Sequence, residues 1–585
     1  MTALPSSSWP PRTLGINPVT SDVNFARVLQ RAAPDFYARR WADLVAFGEW
    51  AATTLKAQAD YSDRIHPPVL SKDIINPASP GARLGVVHLN DRYLAALQEP
   101  YQRKFFDALN DDQNPDRHLM LYCMQYILGD ISTGCPPAMA HPVINAIRKH
   151  GSDALRARFL PQLTRTDGQA KTAGTWGTEP ASGTNIAQTL TEVVPQADGT
   201  LRAFGLKWFT SNAGSGVALA TMRLRGGGAG DKGIGLYIVP SHIDADWQIR
   251  NEYEVIHLKE KLGTRALATG EINLNGALVY ELVPPGEGVR AMMEVLSCSR
   301  VHNAMAAAGM MRESFMETMC WTTHRKPFAK PLIEEVPSQK RIIAMTTQWY
   351  ASTALAFEAA RTYDEADKAG LDKTALDHRD ENIIWARLVT ALAKYRTAEQ
   401  AEWVASRGKI LHGAAGYVED YPMTRINRDT QVLSVWEGPE QVQAKEVMRM
   451  INGKQPGDAI FIKRLRALHD SLPDQPMALD KTHLSQRLRF LEDSFQYLRT
   501  QPREIAVQVE DEYLDIMSHV TAYALLLQEA AWELAQKNDL KKHLIARHYH
   551  DDVLARVKMA PDFQASLLQK NFDALVTGTA IKPGP

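Results

Sequence analysis

Cysteine is scarce in this chain: four among 585 residues, Cys123, Cys135, Cys298 and Cys320, with no CxxC pair and no histidine at zinc-site spacing. That argues against a disulfide framework and a structural zinc, so no metal is expected and a thiol-reducing compartment fits. Long apolar runs are missing as well. None reaches the roughly 18 residues that a spanning helix needs, so no membrane span is expected. The opening MTALPSSSWPPRTLG has no basic segment leading into an apolar core, so no secretory leader is expected and the cytoplasm is the default location. Neither sign of charge is in surplus, with Lys+Arg at 66 and Asp+Glu at 67. No global positive field is therefore available to hold a polyanion. Internal repeats and low-complexity tracts are absent.

What is present is ordinary globular composition, 45% hydrophobic and 23% charged, in a chain long enough for three or four domains. After a Pro-rich lead, residues 1–170 read as a helical domain, because apolar residues recur at helical spacing in Asp35–Leu55, Pro100–Leu109 and His118–Leu128. Within 141–163 the pattern predicts a helix that stops at Gly151 and a second one capped by Ser152 that ends before Pro161. From 171 to 285, Gly, Thr and Asn become dense. The short runs TLTEVV, LRAFGLKWFT, VALATMRL, GIGLYIVP and GEINLNGALV predict a central antiparallel β-domain. The segment RGGGAGDKG (225–233) lacks the Gly-Lys-Ser/Thr of a phosphate loop and reads as a hairpin loop. Helical periodicity returns over 286–455, with long helices predicted over 289–321, 341–367 and 382–406, which suggests a bundle. INGKQPGD (451–458) is a linker candidate. Residues 456–585 form an additional helical domain ending in GTAIKPGP. The fold class is α+β, mainly α.

Four segments can carry chemistry, and each has a plain structural reading beside the functional one. Thr178-Glu179-Pro180-Ala181-Ser182-Gly183-Thr184-Asn185 is either a simple β-turn or a rigid loop presenting backbone N–H groups to a ring carbonyl or pyrophosphate. Lys207-Trp208-Phe209-Thr210-Ser211-Asn212 is either an alternating strand with aromatics in the core or a cover for a flat ring, with Ser211 at its edge. Arg325-Lys326-Pro327-Phe328 is either a solvated helix–helix connection or a phosphate fork with an aromatic wedge. The fourth runs from His412-Gly413-Ala414-Ala415-Gly416-Tyr417 through Asn427-Arg428-Asp429 to Trp436-Glu437-Gly438. Its small-residue turn lets a ligand approach the backbone. Glu437 is either a helix-end acid favoured by the dipole or a general base whose apolar neighbours raise its pKa.

The order TEP-ASGTN, KWFTSN, KLGTR (261–265), RKPFAKPL and HGAAGY…WEG resembles the acyl-CoA dehydrogenase superfamily over residues 120–450. STGCPPAM (132–139), SRVHNAMAAAGMMRESF (299–315) and VWEG (435–438) are similar to its AidB-like branch. The resemblance implies N-terminal helices, a central β-domain and a four-helix bundle in a homotetramer, with FAD between the β-domain and the bundle. By position it implies that Thr178 bonds the flavin edge and Thr184 lies near the pyrophosphate. Trp208, Phe209 and Ser211 would line the ring. Arg325 and Phe328 would reach the FAD of an adjacent subunit, and Gly413 and Gly416 would lie beside the cofactor. Glu437 is then the catalytic base with Arg300 close by, an acyl-CoA is the substrate, and an electron-transfer flavoprotein or other acceptor takes the electrons. The chain departs from the family at Ala329, Ala414, Pro337 and Pro439, the last costing a hydroxyl and an N–H near the cofactor. Two other functions share the fold. One is a flavin oxidase or monooxygenase acting on a substrate without CoA. The other is a flavin-bound DNA-protective protein, which the charge disfavours: residues 456–585 carry 16 Lys+Arg against 18 Asp+Glu, and KNDLKKHLIARHYH (537–550) reads as solvated helix charge rather than a nucleic-acid patch.

Overall fold

The computed structural model describes residues 12–75, 83–111, 114–327, 329–368, 380–558, 561 and 572–577. The Pro-rich lead to residue 11, Phe328 and the GTAIKPGP tail lie outside the described residues. The chain divides into two compact units, Met1–Asp372 with Thr397–Glu437, and Lys373–Arg396 with Gly438–Pro585.

The first unit opens with helices α1 (Val23–Ala32), α2 (Pro34–Trp50), α3 (Lys56–Arg64), α4 (Asp91–Gln102), α5 (Arg117–Leu128), α6 (Ile131–His150) and α7 (Asp153–Leu163). Short polar side chains start them, as orphan N–H groups require. Asp22 accepts from Phe25 N at 2.9 Å, Asn90 from Tyr93 N at 3.0 Å and Asp130 from Thr133 N at 2.7 Å. Ser152 caps α7 as the spacing predicts. The helix nevertheless runs through Pro161, because Thr164 N still bonds Leu160 O at 3.0 Å and keeps the last turn closed. A second departure is an antiparallel ribbon of β1 (Val69–Ile75) and β2 (Arg83–His88) within this helical region. A two-stranded ribbon is marginal alone; Leu70 and Val87 pack it onto the core of the main sheet.

That sheet contains β3 (Ala173–Trp176), β4 (Glu192–Pro195), β5 (Leu201–Ser211), β6 (Val217–Leu224), β7 (Ile234–Pro240), β8 (Tyr253–Leu258) and β9 (Thr269–Val283). Strands β6, β4, β5, β9 and β7 pair in a ring that closes back on β6, with β3 added to β6 and β8 to β9. Trp176, Tyr237, Tyr253, Ile272 and Leu274 fill it. The 225–233 segment joins antiparallel β6 and β7, a hairpin as expected. The domain is not wholly antiparallel: β3 and β4 both run parallel to β6. Alternating side chains report which face is buried, not which way the neighbour runs.

Inside the ring lies Lys207, with no solvent exposure; its Nζ donates to Glu179 Oε1 and to Thr221 O, both at 2.7 Å. Burial raises the Glu179 pKa, but the Lys207 ammonium and the Leu190 and Thr191 donors outweigh it and hold the carboxyl below its ordinary value. This pair ties the Thr178–Asn185 loop to β5.

The long helices follow: α8 (Gly288–His324), α9 (Val336–Lys368) and the part of α10 (Glu381–His412) from Thr397, then α11 (Pro422–Thr430). Small residues let α8 lie directly on α5, and a Cβ on Gly309 would come within 2.3 Å of Tyr126 O. Arg312, fully buried, donates to Tyr126 O and Ile127 O at 3.0 Å and satisfies carbonyls at the end of α5.

The second unit holds α12 (Glu440–Ile451), α13 (Gly457–Ser471), α14 (Asp474–Thr500), α15 (Arg503–Ala506), α16 (Glu510–Lys537) and α17 (Lys541–Asp552). Its boundary falls after Glu437, ahead of the 451–458 linker candidate, so 438–455 belongs with this unit. The basic look of 537–550 is partly internal. Lys542 is buried against Glu529 at 2.6 Å and Glu533 at 3.1 Å, and His543 is buried against Asp480 at 2.8 Å. Among the described residues no helix is long and apolar enough to cross a membrane.

Lys207→Met leaves Glu179 buried without its partner and is expected to cost ~3–5 kcal/mol in chemical denaturation, with Glu179→Gln/Lys207→Met recovering part of the loss. A cost under ~1 kcal/mol for the single variant would show that the pair does not hold the loop.

Candidate functional site

The site is assembled from loops that have no register of their own, so fixed charges must hold them. Arg425 bonds Asp60 at 3.0 Å and Asp130 at 2.6 Å, and lies 3.6 Å from Asp429. Arg428 bonds Asp63 at 2.6 Å and Glu419 at 3.0 Å, and donates to Leu262 O at 3.1 Å. Asp429 Oδ1 accepts from Thr264 N at 2.6 Å. The KLGTR loop is thus clamped to α11 at two points. Gly263 is required there, since a Cβ would lie 2.5 Å from Arg428 O, and Thr264 takes a left-handed φ of 50°. Asp429 is wholly buried, and its pKa is pushed up to about 7: burial acts first, Asp63 and Asp130 add to it, and Arg425 and the Thr264 N–H oppose it. Lys261, at the head of the loop, donates to Leu267 O at 2.5 Å and Thr269 Oγ1 at 3.0 Å. Burial lowers its pKa to about 8 against the pull of Cys135, Asp429 and Asp63.

This frame carries Trp436 and Glu437. Trp436 packs against Cys135 and Met139 of α6 and Leu267 after the loop, and its Nε1 donates to Asn303 Oδ1 at 2.5 Å. Asn303 in turn donates to Leu433 O at 3.3 Å. Glu437 takes a φ of 56°, a conformation that costs a non-glycine residue ~1–3 kcal/mol and persists only where the surroundings enforce it. One enforcer is Arg300 of α8, 4% exposed, whose Nε donates to Glu437 O at 3.0 Å. The Glu437 carboxylate lies near enough to two buried thiols to affect both. Burial followed by that carboxylate raises the Cys135 pKa, and Cys298 is pushed up to about 12 by burial with a smaller contribution from the same carboxylate. Sequence proximity could not have joined Arg300, Cys135 and Glu437.

On the β-domain, the β5–β9 pairing shifts register between Lys207 and Thr210. The irregularity breaks strand alternation and re-aims side chains. Trp208 and Phe209 are both left facing out, 36% and 46% exposed, with ring centroids 4.8 Å apart. Lys259 Nζ sits 4.0 Å from the Trp208 centroid. The core reading of these aromatics is therefore overturned. Trp208 N donates to Thr178 O at 2.9 Å, and Glu179 and Ser182 close the adjoining turn on each other. Thr178 and Ser211 are half-buried, and Thr184 is exposed.

The remaining expected residues lie in turns after the long helices. Arg325 is exposed at the end of α8; Phe328 is outside the described residues. Gly413–Gly416 form a tight turn after α10, Gly413 at φ 61° with open space around it and Gly416 pressed on Lys409 O. Sequence reasoning assigned no role to Glu179, Lys207, Lys261, Arg428 or Asp429. All five stand within or beside the quoted motifs, so a polar residue inside a strand or beside a glycine turn was the available signal.

Residues 286–451 match the family model described as acyl-CoA dehydrogenase, C-terminal domain. Over 522 residues the chain is 27% identical to acyl-CoA dehydrogenase family member 11 of Caenorhabditis elegans, covering 86% of this chain and 81% of that protein. It is 30% identical over 324 residues to the putative acyl-CoA dehydrogenase AidB of Escherichia coli (strain K12), covering 52% of this chain and 56% of the relative's length. The crystal structure of C. elegans ACDH-11 in complex with C11-CoA matches with a TM-score of 0.83 at 23% identity, over 99% of this chain and 98% of that one. An acyl-CoA dehydrogenase complexed with FAD from Bacillus anthracis matches at 0.66 and 15% identity, over 85% and 87% of the two chains. At these identities both structures speak for the fold.

Asp429 has a testable pH signature. Its folded pKa of about 7 lies above the ordinary 3.8, so the folded state binds the extra proton and this stabilisation is lost as pH rises through 7. Thermal stability is expected to fall between about pH 5 and 7.5, and to fall less in Asp429→Asn, which keeps the acceptor for Thr264 and removes the charge. Equal slopes in the two proteins would mean that the carboxyl is ionised throughout.

Proposed function

Because the chain belongs to the acyl-CoA dehydrogenase family, we propose that it is an FAD-dependent oxidoreductase that dehydrogenates an acyl-CoA thioester at its α and β carbons, with Glu437 as the base. The observation that carries this reading is the enforced conformation of Glu437: a left-handed backbone, its oxygen taken by the buried Arg300. Strain held in place by a buried guanidinium suits a group that must meet a substrate atom in one orientation.

The residues present fit a flavin. Two neighbouring aromatics left facing out by the β5 irregularity form an apolar surface that a flat heteroaromatic ring would cover. Trp208, Phe209, Ser211 and Thr178 would hold the ring, Thr184 the pyrophosphate, and the Gly413–Gly416 turn would admit the cofactor close to the backbone. Arg325 and Phe328 would serve an adjacent subunit's FAD in a homotetramer. When bound, FAD supplies the acceptor for the β-hydride. The FAD complex of the B. anthracis relative and the C11-CoA complex of the C. elegans one support cofactor and substrate class.

The chain's own residues handle the proton and the geometry. The Glu437 carboxylate takes the α-proton, which water alone would leave bound, and its backbone N–H would donate to the thioester oxygen where enolate charge develops. Arg300 is a positioning residue that holds that backbone. Trp436 packs with Cys135, Met139 and Leu267 into an apolar cluster beside Glu437. The reduced protein would pass its electrons to an electron-transfer flavoprotein or other acceptor, and the cytoplasm is the proposed location.

Glu437→Gln, purified with its flavin, is expected to lose on the order of 10²–10⁴-fold in the rate of flavin reduction by acyl-CoA in anaerobic stopped-flow. An undiminished rate would remove Glu437 from the base role. Hydrogen peroxide formed in preference to reduction of an artificial acceptor would favour an oxidase.

A further inference from the structure

We propose that His141, Cys298 and His302 form a binding site for a borderline-soft divalent metal ion of the Zn²⁺ class. The three are fully buried and each offers one ligand atom within 4.8 Å of the others. They come from two helices, and His141 stands 157 and 161 positions from Cys298 and His302, so local spacing could not bring it to them. Cys298 and His302 are one turn apart on α8, and His141 faces them from α6. His141 Nδ1 lies 2.8 Å from His302 Nε2 and 3.6 Å from Cys298 Sγ. With Zn–N at about 2.0–2.1 Å and Zn–S at about 2.3 Å, a tetrahedral site has ligand edges of roughly 3.3–3.6 Å. One nitrogen–sulfur edge, His141 to Cys298, is already there; the two imidazoles need to part by about half an ångström, and the His302–Cys298 edge lies within 4.8 Å.

The surroundings are those that orient metal ligands. A ligating histidine normally donates its other ring N–H to a fixed acceptor, which sets tautomer and ring plane. His141 Nε2 meets His118 Nδ1 at 2.8 Å, and His118 Nε2 meets Asp367 Oδ2 at 2.7 Å, a carboxylate also paired with Arg117. The Tyr122 hydroxyl, 3.4 Å from Cys298 Sγ, can fill the fourth position or hydrogen-bond the thiolate.

Binding balances as follows. The ion accepts the His141 Nδ1 and His302 Nε2 lone pairs and the Cys298 thiolate pair. With Nε2 ligating, neutral His302 carries its ring proton on Nδ1, an atom with no hydrogen-bond partner among the described residues. The Cys298 thiol proton leaves to solvent, and nothing is oxidised or reduced. The alternative occupant of this space is a metal-free ladder of neutral imidazoles.

The two are separated by growing cells with added zinc or cobalt, purifying the full chain with its flavin, and measuring metal per chain. The expected result is about one ion per chain, with the cobalt form showing the intense red-region bands of a four-coordinate, thiolate-ligated ion, clear of oxidised-flavin absorption. Cys298→Ala and His302→Ala should lower metal content about tenfold or more, while Cys320→Ala, a half-buried thiol elsewhere on α8, should keep it. If those variants fail to fold, the wild-type cobalt spectrum still decides. Less than about a tenth of an ion per chain under both conditions, a cobalt spectrum without thiolate ligation, or metal retained by folded Cys298→Ala and His302→Ala, would overturn the proposal.

Discussion

Two buried guanidiniums hold the first unit together at its functional end. Arg425 and Arg428 gather Asp60 and Asp63 from α3, Asp130 from the start of α6, and Asp429 from their own helix. Glu419 joins them on Arg428 and Arg12 also pairs with the partly exposed Asp60, so carboxylates outnumber guanidiniums in the cluster. The arrangement settles this by raising Asp429 toward neutrality and by spending its other oxygen on the Thr264 N–H. Removing a guanidinium would leave several carboxylates without compensation, a far larger cost than an ordinary surface pair represents. The KLGTR loop, the N-terminus of α6 and the chain leading to Trp436 all take their positions from this cluster.

Strain is stored next to it. Glu437 occupies a left-handed conformation and Thr264 another, and both are over-determined by buried partners: Arg300 on the Glu437 oxygen, Asp429 on the Thr264 nitrogen. Cys135, Met139 and Leu267 form a buried apolar cluster nearby, with the partly buried Trp436 packed on it. The β-domain uses the same logic with different parts, since the Lys207–Glu179 pair inside the ring fixes the loop and the strand that present Thr178, Trp208 and Phe209. Charge is buried where backbone must be held, and apolar surface is exposed where a ring would lie.

Much of this was legible in the residues because helix period, strand alternation and turn chemistry are local. The long helices, the cap at Ser152 and the 225–233 hairpin follow from such rules. The β1–β2 ribbon did not, since a pair of short strands inside a helical region depends on the sheet it packs against. Parallel pairing of β3 and β4 with β6 was equally hidden, because alternation carries no direction. Trp208 and Phe209 illustrate the limit most plainly: a regular strand would bury one of them, and only the register shift turns both outward. The roles of Asp429, Lys207 and the His141–Cys298–His302 cluster are set by partners far away in sequence. The ordered motifs named the family; the geometry around Glu437 is what makes a base of that carboxylate physically reasonable.

The most direct test of the central claim is anaerobic titration of the purified wild-type protein with a panel of acyl-CoA thioesters of different chain length, following flavin absorbance and the acyl product together. The account predicts that at least one thioester bleaches the flavin and appears as its α,β-unsaturated product, one for each flavin reduced. A protein purified without flavin, or a flavin that stays oxidised with every thioester while the acyl chains remain saturated, would contradict it.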